Sequence, residues 1–363
     1  MKSVRMVTFH TPRNYGAVLQ AFGLLTYLKK CINDVSVIDY DTEHLRQIYP
    51  VLPSPNNLKS FVVYCLMLPH CLAIKRMHDK FDKFKIKYLN LTRRFETYDA
   101  LYETAWNAET VFCTGSDQVF NPNRIEEERR VFFLDFVPKE CQRVSYAASF
   151  GVGDIPQEKV NEISSYLSKF QSISVREKSG SHIVKSLVQR DVPVVLDPVF
   201  LCEKKDWEGI IVDYKRKFCD YLLYYKVLNN RASDQYAYEL AKKKKLKLVV
   251  ITKGFMRIRC DEVLYDVGPE EFLWLVNGAD FVVTDAFHGV AFSVIFQKQF
   301  VFSDTGRTTN NRGIELLKTL GLQNVCYCEK YEQSHMINYD RVNVLLAEKI
   351  GYSKSYIAKA FNF

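Results

Sequence analysis

Short apolar runs rich in Val, Ile, Phe and Tyr recur along this chain, and polar turns and helix-period stretches separate them. The first series reads strand 4–8, helix 16–30 with apolar Val18, Leu25 and Leu28, then strand 35–39. That order is a βαβ unit and implies a parallel sheet. Short strands at 110–113, 143–147, 172–175 and 194–196 extend it. A second series runs as strand 221–225, helix 233–243, strand 248–251, helix 269–276, strand 281–283, helix 290–296 and strand 300–302. Residues 45–105 look more helical, with a charged stretch at 75–87, and read as an insertion in the first series. The expected architecture is α/β, with two Rossmann-like, doubly wound domains. The first covers 1–205 with a helical insertion at about 45–105, and the second covers 206–340. Residues 341–363 form a C-terminal helix that packs back on the first domain. Two such domains are expected to face each other across a cleft between the carboxyl ends of their strands.

A length of 363 residues suits two domains of this kind. The hydrophobic content of 47% with 25% charged residues is that of an ordinary globular chain. A net charge of +8 favours anionic substrates or an anionic membrane surface, and it falls short of a nucleic-acid signature. Its densest basic run, Lys242 to Lys245, reads as a solvated helix end because a strand follows at once. The ten cysteines show no repeated C-x-x-C spacing. Cys326 and Cys328 suit opposite faces of a strand better than a metal site, so no metal is expected. Residues 1–9 are too short and polar for a secretory signal, which predicts reduced thiols in a cytosol. The run 61–68, stopped by Pro69 and His70, reads as a buried helix, with an interfacial membrane contact as the alternative. No stretch is expected to reach the ~18–20 apolar residues of a membrane span.

Candidate chemistry sits at the strand ends. Thr284-Asp285-Ala286-Phe287-His288-Gly289-Val290 joins an apolar strand to an apolar helix. It offers an imidazole at His288, a carboxylate at Asp285, and Gly289 where backbone can approach a ligand. The structural alternative is a capping Asp with a packed His. In the first βα turn, Gly16 permits close approach, and Arg13 and Asn14 can reach a phosphate or a sugar. The G-x-G-x-x-G fingerprint is missing there, which argues against a dinucleotide. Ser116, Asp117, Gln118 and Asn121 cluster after the strand 110–113. Such short polar groups suit sugar hydroxyls, with Asp117 as a general base, or else an Asx turn. Arg176 closes another strand and can fork a carboxylate or phosphate, or simply pair with Glu177. Asp197, before Pro198, reads as structural. Lys253 is an anion ligand or a solvated lysine. Asn311 and Arg312 open a helix in the same crevice as His288.

In order, Asn14-Tyr15-Gly16-Ala17-Val18-Leu19-Gln20, Gly115 to Asn121, Ser174-Val175-Arg176-Glu177, Leu196-Asp197-Pro198, Thr284 to Gly289 and Arg312-Gly313 resemble the polysaccharide pyruvyl transferase family. The resemblance spans about 5–320 and implies a GT-B-like fold. It implies transfer of the enolpyruvyl group of phosphoenolpyruvate to a sugar, forming a pyruvate ketal across two hydroxyls. The acceptor would be a cell-surface glycan or its lipid-linked oligosaccharide precursor, as in capsule or exopolysaccharide biosynthesis. No cofactor is implied beyond phosphoenolpyruvate as donor. The expected location is the cytoplasm, with a peripheral position at the inner face of the cell membrane. Arg176 matches a family arginine that looks like a donor ligand, and His288 matches the family's histidine. Some members carry Arg-x-His-Gly where this chain has Ala286, and members with Ser-Phe-His-Gly are closer. The donor's negative charge would then fall to Arg312, Arg13 or Lys253. His288 is the expected general acid, with Asp285 orienting it or deprotonating an acceptor hydroxyl. Two other functions fit the same residues. One is a GT-B nucleotide-sugar glycosyltransferase, and the other is a non-catalytic glycan-binding protein.

Overall fold

In the computed structural model, all residues are described except 1–2, 213–217, 255–257, 305–310, 328–335 and 363, together with the side chains of Lys59 and Asn311. The chain divides into two compact units. The first comprises Met1–Tyr49, Lys85–Cys202 and Ala347–Phe363, and the second Pro50–Phe84 and Glu203–Leu346.

The first unit holds β1 (Ser3–Val7), β2 (Asp34–Tyr40), β3 (Leu91–Phe95), β4 (Thr110–Gly115) and β5 (Gln142–Tyr146). They form one sheet in the order β3-β2-β1-β4-β5, parallel throughout. With β1 central and connections running to both sides of it, crossovers of the usual right hand put helices on both faces. This explains why β4 is buried at every position and why its sequence is an unbroken apolar run. The helix Tyr15–Lys29 starts where the Asn14 side chain accepts from the Gly16 N–H, and it is buried nearly all round. The segments 172–175 and 194–196, expected as strands, make only isolated bridges, Val144 with Ser172, Ala148 with Val175, and Val175 with Val194. Pro193 and Pro198, which lack N–H donors, flank the second of them. β3 lies inside the stretch read as helical. Its exposed Arg93 and Arg94 are the charged residues of a sheet edge, which hid the strand pattern.

The second unit holds β6 (Tyr221–Tyr225), β7 (Lys247–Ile251), β8 (Glu262–Leu264), β9 (Phe281–Thr284), β10 (Phe300–Ser303) and β11 (Cys326–Tyr327). Their order is β11-β10-β9-β6-β7-β8, again parallel. The helix Arg231–Lys244 is capped by Asn230 and ends at Lys245 in the left-handed region (φ 57°), so the lysine run is a helix end. Cys328 lies outside the described residues. The nine described cysteines are all free thiols.

The placement of 50–84 corrects the reading of 45–105 as part of the first domain. In the helix Cys71–Tyr88, Ile74, Met77 and Phe81 are buried at helical spacing. Lys80 Nζ reaches Glu271 Oε2 and the Asp266 carbonyl, each at 2.7 Å, and His70 stacks on Tyr265 at 4.3 Å. The preceding helix Leu58–Met67 does not bear out the buried reading, since Phe61, Val62 and Leu66 are about half exposed. By length and composition, the run Ser60–Tyr88 is also long and apolar enough to cross a membrane, against expectation. The end of the helix Tyr339–Phe361 belongs to the first unit. Ser353 Oγ accepts from the Leu196 N–H, Tyr356 donates to the Ser145 carbonyl, and the Ala360 carbonyl accepts from Gln142.

A Cβ at Gly23 would lie 2.8 Å from the Pro198 carbonyl oxygen, a backbone atom that cannot swing aside. Gly23→Ala is therefore expected to destabilise the protein by about 1–3 kcal/mol, read as a lower Tm with secondary structure retained by circular dichroism. An unchanged Tm would mean that this helix does not depend on the close approach.

Candidate active site

In each sheet the strand order reverses beside its first strand, the point at whose carboxyl end open parallel α/β sheets bind ligands. In the second unit that point lies between β6 and β9. Asp285, just after β9, spans it. Oδ1 accepts from the Val227 N–H and Oδ2 from the Leu228 N–H, both at 2.8 Å. Burial pushes its carboxyl up to about 6, against the two backbone donors and the charge of Lys226. Both oxygens thus hold the loop after β6, where the sequence suggested orientation of His288. His288 sits in the first turn of the helix Phe287–Ile295, buried edge-on to the Phe287 ring at 5.0 Å. Gly289 has a packing reason: a Cβ there would fall 2.2 Å from Thr284 Oγ1. The same Oγ1 accepts from the Ala286 N–H at 3.1 Å. Arg312, half-buried, is the second residue of the helix Asn311–Thr319, and Lys253 is exposed after β7. The Asn311 side chain lies outside the described residues.

A buried pair beside β6 escaped sequence reasoning. Lys226 Nζ lies 2.7 Å from Asp234 Oδ1, to which Tyr224 also donates at 3.2 Å. Ser233 and Ser303 hydroxyls meet at 2.6 Å next to it. The available signal was a lysine closing the otherwise apolar strand 221–225, where a charge is costly unless paired.

In the first unit the corresponding point lies between β1 and β4. Ser116 (φ 24°) and Asp117 (φ 61°) are consecutive left-handed residues, a conformation that only a fixed frame sustains. The frame is visible. The Ser116 N–H donates to the Tyr146 carbonyl, the Asp117 carbonyl accepts from Ser149, and the Ser116 hydroxyl donates to Asp197 Oδ2 at 2.9 Å. Arg176 completes it, with Nη1 at 2.7 Å from Asp197, Nη2 at 3.7 Å from Asp117 and Nε at 3.9 Å from Glu177. Burial works against its charge, but these three carboxylates outweigh it and raise its pKa. Arg176 thus pairs with three acids, where the sequence named Glu177 or a surface acid.

Asn14 caps its helix and donates to the Tyr49 hydroxyl at 3.3 Å. Arg13 lies half-buried in the same turn, and Gly16 is buried in the helix's first turn with its N–H on Asn14 Oδ1. Asn121 donates to Gln118 Oε1 at 3.0 Å and accepts from the Asn123 N–H at 2.9 Å, a self-contained turn. Tyr49 and Arg124 were missed. Burial raises the Tyr49 pKa, with the Asp117 charge adding to it. The Arg124 guanidinium lies 3.6 Å from the Phe9 ring centroid and 3.2 Å from Glu128 Oε2. His10 was also passed over. Its Nε2 lies 3.0 Å from Asp39 Oδ1 and its Nδ1 3.1 Å from the Thr8 carbonyl. Burial opposes the Asp39 charge, but the bond and charge of His10, with Arg94 and Lys85, hold its carboxyl below the usual range. Among the described residues no group of three His, Cys, Asp or Glu is placed to hold a metal ion.

Residues 14–306 match the family described as polysaccharide pyruvyl transferase. The chain belongs to that family. It is accordingly a transferase, built of two parallel α/β units. A search of curated proteins finds no match. Among solved structures, UDP-GlcNAc 2-epimerase from Neisseria meningitidis is similar at TM-score 0.44 and 10% identity, covering 99% of this chain and 94% of that one. A putative UDP-N-acetylglucosamine 2-epimerase from Listeria monocytogenes gives 0.49 at 9% identity, covering 99% and 91%. The E. coli heptosyltransferase WaaC gives 0.40 at 10%, covering 96% and 100%.

In this pyruvyl transferase family member, Arg176→Gln leaves three acids without their shared cation. A loss of about 3–5 kcal/mol at pH 7 is expected in urea unfolding. The gap to the parent should narrow toward pH 4, as the orphaned carboxylates take up protons in the folded state. Asp285 works with the opposite sign to a salt-bridged acid. Its folded pKa of about 6 lies above the unfolded value, so its contribution to stability declines as pH rises from about 4 to 6. Asp285→Asn should abolish that part of the pH slope. A variant whose slope equals the parent's would remove Asp285 as its source.

Proposed function

We propose that this enzyme transfers the enolpyruvyl group of phosphoenolpyruvate to two hydroxyls of one sugar, giving a pyruvate ketal and inorganic phosphate. The observation that carries this reading is the family match over residues 14–306, within which the carboxyl-end turns carry His288 and Asp117. In the proposed reaction the methylene carbon takes a proton and C2 becomes oxocarbenium-like. An acceptor hydroxyl adds to C2 and gives up its proton, and the C2–O bond to phosphate breaks. The second hydroxyl then closes the ring. Of the two hydroxyl protons, one ends on the methyl group and one on phosphate. His288 is assigned to protonate the departing phosphate, and Asp117 to receive a hydroxyl proton. Arg312 and Lys253 supply positive charge to the donor, helped by backbone N–H groups around Gly289. Arg13, Asn14, Asn121 and the turn at Gly16 are assigned to the glycan, and Ser116, whose hydroxyl is bound to Asp197, is assigned to hold the Asp117 turn. Arg176 and Asp285 are assigned as positioning residues, because their polar atoms already hold Asp197 and the loop after β6.

No cofactor enters the scheme. The acceptor is a surface glycan or its lipid-linked precursor, and the latter places the enzyme at the inner face of the cell membrane. Phosphate release from phosphoenolpyruvate in the presence of lipid-linked glycans tests the reading. His288→Ala is expected to lower turnover by about 10²–10⁴-fold. Near-full turnover in that variant would overturn the assignment. In thermal-shift measurements phosphoenolpyruvate should stabilise the protein, and UDP- or GDP-sugars should not. Stabilisation by nucleotide-sugars alone would point to a glycosyltransferase. Glycan binding without donor binding would point to a non-catalytic protein.

A further inference from the structure

The solvent face of the segment 58–83 changes character along its length. In the helix Cys71–Tyr88 the outward positions Lys75, Arg76, Asp79 and Lys83 are charged and exposed, as on any amphipathic surface helix. In the helix Leu58–Met67, the turn after it and the first turn of the helix Cys71–Tyr88, exposed positions are apolar. Leu58 is 81% exposed, Phe61 51%, Val62 49%, Leu66 46%, Leu68 46% and Leu72 68%. The i, i+3 and i+4 spacing of 58, 61, 62 and 66 places them along one side of their helix, and Leu68 and Leu72 follow in the next turns of chain. A contiguous stripe of this kind, beside a basic one, is not an ordinary scatter of surface leucines.

We propose that this face docks on an anionic lipid surface, with the apolar side chains entering the interfacial layer and the lysines meeting headgroup phosphates. Charge chooses the occupant. Lys75, Arg76 and Lys83 stand against the single exposed acid Asp79, although Arg76 also pairs with Asp266 at 3.7 Å. An amphipathic helix with adjoining lysines is the form that lies in a membrane interface. The run Ser60–Tyr88 is long enough to cross, but its uncharged part and its packing argue for lying rather than spanning. The uncharged stretch from Ser60 to Ile74 ends at Lys75. As helix it runs only about 22 Å, against a hydrocarbon core of about 30 Å. Beyond it, Met77 and Phe81 are buried and Lys80 is bound to Glu271, which fixes the rest of the rod to the protein. The proposal adds a partner to the lipid-linked acceptor of the proposed function, but its evidence is independent of that reaction.

Vesicle sedimentation of the full chain tests it, with phosphatidylcholine alone and with 30% phosphatidylglycerol, at low and high salt and without donor or glycan. Pelleting with the anionic vesicles, weakened by salt, is expected. Phe61→Glu with Leu66→Glu should abolish it. Lys75→Gln with Lys83→Gln, which leaves the apolar stripe untouched, should weaken it about fivefold per lysine. Three results would overturn the proposal: no pelleting with either vesicle, pelleting that both double variants retain, or a solution dimer that Phe61→Glu with Leu66→Glu splits into monomers without any vesicle binding. Because no substrate is present, failure here leaves pyruvyl transfer untouched, and a failed phosphate-release assay leaves vesicle binding untouched.

Discussion

A parallel sheet buried on both faces satisfies its own backbone, but at its carboxyl edge the ladders stop and the chain must turn while still buried. Every loop of the candidate sites hangs from that edge. In the second unit the Asp285 carboxylate receives the first two N–H groups after Lys226. In the first, Asp197 receives the Ser116 hydroxyl, Arg176 and the Val199 N–H. Both acids lie under the loops rather than in front of them. Removing Asp197 would leave buried donors without partners, which costs more than the bonds themselves contribute, and removing Asp285 would free the loop after β6. The geometry of His288, Asp117 and the residues around them depends on these two anchors.

This division of labour separates residues that resemble one another in sequence. Asp117 and Asp285 both follow an apolar strand, and both read as catalytic carboxylates. Asp285 is spent on backbone donors, whereas Asp117 rides a left-handed turn and shares Arg176 at a longer distance. Gly289 and Gly16 both read as places for a ligand to approach. Gly289 instead lets its helix close on Thr284. The arginine matched to a family donor ligand is paired with three acids, and the proposal gives the donor's positive charge to Arg312 and Lys253.

The parts of the fold that were legible share one property, which is burial on both sides. The strands 110–115 and 221–225 announce themselves because every residue faces protein. The edge strands β3 and β8 do not, since only Phe95 of the one and Leu264 of the other are buried. The turns of the candidate site were legible for a similar reason, as polar clusters interrupting apolar runs. Their internal wiring was not. His10 and Asp39 are 29 residues apart, and Ser116 and Asp197 are 81 apart. Pairing over such distances follows from strand order, which no local pattern states. Residues 50–84 show the same limit, because the amphipathic stripe of a helix says that it packs without saying on what.

The first unit is assembled from three stretches of chain, and the last of them, Ala347–Phe363, follows the whole second sheet. Ser353, Tyr356 and Ala360 supply partners to Leu196, Ser145 and Gln142. During synthesis the first sheet must therefore wait, incompletely covered, until the ribosome has made nearly everything else, while the second sheet already has all of its strands. A chain halted before Ala347 would present a formed second unit and an unfinished first one. The order of translation thus makes the amino-terminal unit the last to mature and the one most in need of protection while it does.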